Sequence, residues 1–142
     1  MAIFFSSENT SFVLKNQLKI KRWIKEVVKR EDKRLGDLGY VFCDDEYLLK
    51  VNIEYLNHDT YTDIITFDYV EGNNISGDMM ISVDRVGENA TKFEVPFERE
   101  LRRVIIHGVL HLLGNGDKTT KEAARMRELE NAALALYDEM NA

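Results

Sequence analysis

Residues 97–117 read FERELRRVIIHGVLHLLGNGD, and the reading of this stretch decides what surrounds it. From Val104 to Leu113 nearly every residue is apolar on all sides, the mark of a helix buried in a protein interior. Pro96, the only proline, suits the start of that helix, because a first-turn N–H has no helical acceptor to lose. Glu98 and Glu100 complement the dipole at this end, and Gly114 is placed to stop the helix at the other. The spacing therefore predicts a helix over 97–113. Two of the three histidines, His107 and His111, lie on it four residues apart, so both imidazoles project from one face. A buried imidazole needs a polar partner, and one shared metal ion satisfies both. Gly114 permits a sharp exit with positive φ. The chain can then swing back so that Asp117 faces the same ion, which makes the pattern H-x3-H-x2-G-x2-D. Two other readings stay open: Asp117 as a turn residue after Asn115 and Gly116, or water or His58 in the third ligand position.

Working outward, the elements are mixed. Ala2–Phe5 and Leu38–Cys43 read as short strands. Between them Ile20, Trp23, Ile24, Val27 and Val28 recur at helical spacing, an amphipathic helix with its apolar stripe inward. Asp44–Tyr55 reads as a helix capped by Asp45, with Tyr47, Leu48, Val51 and Tyr55 on one face. Thr62–Val70 is rich in strand formers. The turn Glu71–Asn74 joins it to Gly77–Val83 as an antiparallel hairpin, and Asp84–Phe93 is a further helix. Thr119 and Glu122 make a capping-box pattern for a last helix, with Met126, Leu129, Ala133, Leu136 and Met140 as its stripe. The order predicts an α+β fold: one domain over 1–142, a small mixed β-sheet packed by helices, and the histidine helix buried against the sheet.

Composition excludes several classes. The chain of 142 residues is 44% hydrophobic and 31% charged, unlike a disordered chain. The single cysteine, Cys43, excludes a disulfide scaffold, suits a reducing compartment, and is expected to be buried and inert. No apolar run approaches the roughly 18 residues that cross a bilayer, and the run at Met1–Phe5 is too short for a signal peptide. The net charge of −6 points away from nucleic acid when taken as a sum. Its distribution points elsewhere: Lys15 to Arg34 holds nine basic residues against Glu26, Glu31 and Asp32, a local excess of +6 that leaves −12 for the rest. A local basic face suffices for phosphate contact; the plainer reading is a solvated helix surface.

The motif His107-Gly108-x-Leu110-His111-Leu112-x-Gly114 resembles two families. The metal helix of the metzincins, H-E-x-x-H-x-x-G-x-x-H, is similar in spacing, but Gly108 stands where those peptidases carry their glutamate base. The closer likeness is to the YbeY family, bacterial metal-dependent endoribonucleases of ribosomal RNA maturation, whose pattern is H-G-x-L-H-L-x-G-Y-D-H. Asn115, Gly116 and Asp117 replace its last three positions. Upstream, Val51-Asn52-x-x-Tyr55, then Asp59-x-x-Thr62-Asp63-Ile64-Ile65-Thr66-Phe67, resembles the family's L-N-x-x-Y-R-x-x-D-x-P-T-D-V-L-S-F. Gly77-Asp78-Met79-Met80-Ile81-Ser82 resembles its G-D-I-x-I-S, and Phe97-x-x-Glu100-Leu101 precedes the histidine helix as in the family.

The resemblance implies one divalent metal ion, zinc, held by His107, His111 and Asp117, which are also the catalytic centre. It implies cleavage of single-stranded or ribosomal RNA in the cytoplasm, with the ribosome or its small subunit as partner and neither membrane nor DNA. The alternatives are a zinc peptidase, or a ribosome-associated binding protein with a structural metal site. Lys15, Lys19, Arg22, Arg102 and Arg103 are the expected RNA contacts. His58, Asp63 and Asp78, with Thr62 and Ser82, are expected to line the cleft or orient the ligands. Leu56 occupies the place of the family's arginine, for which Arg102, Arg103 and Lys118 are candidate replacements. A carboxylate third ligand lowers the charge of the site by one, which acidifies water less and favours metals such as manganese.

Overall fold

The computed structural model describes residues 2–141. In chain order the elements are β1 (Ala2–Glu8), α1 (Gln17–Arg30), β2 (Arg34–Cys43), α2 (Asp45–Leu56), β3 (Ile64–Asp68), β4 (Asn74–Ser82), α3 (Val83–Lys92), α4 (Phe97–Leu112) and α5 (Thr120–Glu139). The four strands form one mixed sheet in the order β1-β2-β4-β3. β1 and β4 both run parallel to β2, and β3 pairs antiparallel with β4 through the expected hairpin, Ile65 opposite Met80. The fold class is the α+β arrangement the sequence predicts.

Strand alternation sorts the side chains. Leu38, Tyr40 and Phe42 of β2 and Ile75, Met79 and Ile81 of β4 point to one face and are buried there with α1, α4 and α5. Full burial of each such side chain contributes about 1.5–3 kcal/mol. Two buried polar groups tie the helices down. Tyr40 donates its hydroxyl to the Ile105 carbonyl at 3.1 Å, and Trp23 donates its indole N–H to the Ala133 carbonyl at 2.7 Å. On the opposite face α2 covers a smaller cluster of Cys43, Leu48, Val51 and Ile65. Cys43 is buried, and burial with nearby Asp44, Asp45 and Asp84 pushes its thiol up to about 12, so it is unreactive as expected.

Several boundaries differ from the sequence reading. β2 begins at Arg34 rather than Leu38, because Gly36 and Gly39 lie inside the strand, where neighbouring side chains of β4 close over them. β3 is shorter than Thr62–Val70, ending where Val70 N–H bonds to the Asp68 carboxylate in a turn. The cap of α2 is Asp44, which accepts from Tyr47 N–H; Asp45 instead accepts from Ser82 Oγ and Arg85. The inward stripe of α5 is Met126, Glu130, Ala133, Leu134 and Tyr137, while Leu129, Leu136 and Met140 are only partly buried. The capping box of Thr119 and Glu122 is present as expected.

Candidate metal centre

The site grows out of α4 and the turn that ends it. Gly114 has φ of 99° and forms a Schellman closure: its N–H bonds to the His111 carbonyl at 2.9 Å, and the Asn115 N–H to the Leu110 carbonyl at 3.1 Å. This reversal brings Asp117 back over the helix end. Asp117 Oδ2 stands 3.3 Å from His107 Nε2 and 3.3 Å from His111 Nε2. The two imidazoles are perpendicular, with centroids 4.5 Å apart. Among the described residues, these three are the cluster whose ligand atoms converge, all within 4.8 Å. His58 is not part of it.

The hydrogen bonds behind the rings decide what the front can do. His111 Nδ1 lies 2.8 Å from the Asn115 carbonyl, which can only accept, so that nitrogen carries the proton. His107 Nδ1 lies 2.6 Å from Glu130 Oε2. Burial alone raises the Glu130 carboxyl, but the His107 hydrogen bond and the Arg103 guanidinium outweigh it and hold it below the usual range. Glu130 is therefore an anion that accepts from His107. In the neutral rings both Nε2 atoms then present lone pairs toward a carboxylate oxygen. Three acceptors converging this way repel one another unless a cation sits between them. Ligands about 2.0–2.1 Å from a tetrahedral zinc stand about 3.3 Å apart. That matches the Asp117 separations, so the donor set fits a divalent ion with Nε2 as the ligating nitrogen.

Glu130 belongs to a buried network that the sequence reading missed. It is 2% exposed, and its Oε1 accepts from Arg103 Nη1 at 3.1 Å. Arg103 in turn forks onto Glu100, its Nε 2.8 Å from Oε1, and lies 3.9 Å from Asp63. Burial lowers the Arg103 pKa, but Glu100 and Glu130 raise it further than burial lowers it. Arg103 is thus an internal counter-ion, its guanidinium turned to Glu100 and Glu130. Glu100 stands in the first turn of α4 as expected, faces Arg103 and is 2% exposed. The signal for Glu130 was its place four residues from both Met126 and Leu134 on the inward stripe.

A cleft of about 570 Å³ opens in front of the ligands. Its walls are the edge of β3 and the loop after α2, with Leu56, His58, Thr62 and Asp63 among the lining residues. Buried Asn52 shapes that loop, donating to the Thr60 carbonyl at 2.8 Å and accepting at its own carbonyl from His58 N–H at 3.1 Å. Asp63 is partly buried, and desolvation raises its carboxyl despite Arg103 and His107 nearby. Lys118 is the one Lys or Arg lining the cleft among the described residues. Asp78 does not line it: its carboxylate lies over Gly39 on the exposed side of the sheet. Ser82 caps α3 instead, accepting from Arg85 N–H at 3.1 Å. Arg102 and Lys19 both stand over the Tyr137 ring, 4.4 Å and 4.1 Å from its centroid, and outside the cleft. Lys15 and Arg22 are exposed and also outside it. Position 108 faces the sheet: a Cβ there would come within 2.8 Å of Met79 Cγ and 3.1 Å of Ile64 Cδ1. A glutamate base has no room at that point.

Comparisons with known proteins identify what the chain is similar to. A family profile described as Endoribonuclease YbeY matches residues 5–138. A Christiangramia forsetii protein named Endoribonuclease YbeY is 50% identical over 135 residues, 95% of this chain and 94% of that one. Its namesake from Phocaeicola vulgatus is 58% identical over 114 residues, covering 80% and 83% respectively. Among solved structures, the solution structure of TM1509 from Thermotoga maritima superposes with a TM-score of 0.68 at 27% identity, covering 96% of this chain and 89% of that one.

Proposed function

The chain belongs to the YbeY endoribonuclease family, and from that premise we propose that it cleaves phosphodiester bonds in single-stranded stretches of ribosomal RNA at a zinc centre held by His107, His111 and Asp117. The observation that carries this reading is the convergence of two Nε2 lone pairs on the Asp117 carboxylate, with both Nδ1 atoms already committed behind. A divalent ion there supplies Lewis acidity at a phosphate oxygen. The residues around it do the rest. His107 is held in one tautomer by Glu130, and His111 by a backbone carbonyl. Lys118 offers a positive contact to the phosphate in a cleft where Leu56 provides none. Asp63 and His58 line the cleft in front of these residues, where they can contact the substrate. Lys15, Lys19, Arg22 and Arg102 lie outside the cleft, where they can meet RNA backbone beyond the cut site.

Acting on ribosomal RNA, the protein works in the cytoplasm with the ribosome or its small subunit as partner. Among the described residues no helix is long and apolar enough to cross a membrane. The peptidase alternative has no general base, since Gly108 is packed against Met79 and Ile64. The test is metal content and single-stranded RNA cleavage for the wild type and Asp117→Ala, with casein as a second substrate. Loss of metal and RNA cleavage together, with circular dichroism unchanged, is expected. Full metal content in Asp117→Ala, or RNA cleavage that survives His111→Ala, would sink the assignment.

A further inference from the structure

The catalytic cleft and the basic part of the molecule are different places. Three carboxylates, Asp63, Asp68 and Asp117, line the cleft against the single Lys118. Such a cavity attracts an RNA strand only at the metal and at that lysine. No residue of α1 lines it, yet α1 carries six cations against Glu26 alone. Arg30 is engaged with Glu26 at 3.1 Å. Arg22, Lys25 and Lys29 are exposed, and no described residue pairs with them. Their spacing of three and four residues sets them on one face, over roughly 10 Å of helix. A shallow groove of about 450 Å³ runs beside them, with apolar Leu136 of α5 and Met140 just past its end on the far side.

We propose that this face of α1, with the groove it shares with α5, is a docking surface for single-stranded RNA, separate from the cleft where cleavage occurs. Cations on the helix take backbone phosphates, and Leu136 and Met140 offer apolar contact to a base. Aligned, exposed cations beside an apolar strip complement a flexible polyanion with exposed bases. The inference rests on the endoribonuclease reading for the identity of the polyanion. Its test does not require catalysis. The segment then draws in a long strand that the acidic cleft alone holds weakly.

The experiment measures binding of a fluorescent, long single-stranded RNA to the metal-free full-length protein across a salt series. The variant carries Arg22→Gln, Lys25→Gln and Lys29→Gln; a control loses the same charge elsewhere through Lys50→Gln, Lys92→Gln and Lys121→Gln. Each phosphate contact contributes about 0.7 to the salt slope for a single strand. The α1 variant should lower the slope by about 2 and the affinity by about 100-fold near 0.1 M salt. The control should change neither by a comparable amount, and both variants should keep the wild-type thermal transition. Equal losses in the two variants would reduce the effect to net charge and overturn the proposal. So would wild-type affinity and slope in the α1 variant. A wild-type protein that binds RNA through α1 but never cleaves it with zinc present would instead overturn the endoribonuclease reading and leave the surface standing.

Discussion

Glu130 carries more of the metal centre than its position on a helix suggests. It is a buried anion, and its two oxygens are shared between His107 and Arg103. The carboxylate fixes the tautomer and ring orientation of His107, which is how such outer groups tune a metal site. Glu130→Gln should weaken zinc binding by about 10- to 100-fold, measured by competition with a chromophoric chelator. Unchanged affinity would mean that His107 needs no anion behind it. A second expectation concerns the third ligand. Asp117→His removes one negative charge from the site, so the ratio of zinc to manganese affinity should rise in parallel titrations of variant and wild type. These residues also mark what was legible. The convergence of His107, His111 and Asp117 could be read because one helix and one turn set their spacing. Glu130 could not, because its counter-charge, Arg103, lies 27 positions away on another helix.

At the scale of elements, α4 is positioned by the sheet beneath it and by the turn at its end. Gly108 lets the helix lie on Met79 and Ile64. Gly108→Ala should therefore cost about 1–3 kcal/mol in urea denaturation, the usual cost of overpacking. An Ala that is neutral there would show that Met79 moves aside freely. Thr119 at the start of α5 completes a two-way capping box with Glu122. Thr119→Ala should cost about 1 kcal/mol by the same measurement. The histidine helix and the capping box were plain in the sequence, since both depend on near neighbours. The start of β2 and the inward face of α5 were not. The first depends on how β4 closes over Gly36 and Gly39, and the second on a buried ion network that turns an acidic position inward.

Over the whole molecule, the metal centre joins segments that are otherwise linked only by packing. Two of the proposed ligands come from α4, one from the loop before α5, and the support for His107 from α5 itself. An ion bound by these residues would therefore stabilise the C-terminal third as a unit. With zinc at about 100 times its Kd, the folded state should gain about 2.7 kcal/mol, seen as a higher thermal transition that chelator abolishes. A transition indifferent to zinc and chelator would argue that no ion binds. The charge distribution is the other property of this scale. The sum of −6 points away from nucleic acid; the fold divides it into an acidic cleft and a basic helix that do not overlap.

The support behind His111 differs in kind from that behind His107. It is a main-chain oxygen, delivered by the shape of the turn at Gly114 and Asn115. Main-chain atoms are not replaced by mutation. A residue that accepts the same turn at position 115 preserves the contact, while the contact at position 130 depends on the side chain itself. An asparagine can stand where the family pattern has tyrosine, and the ligand behind it stays in place.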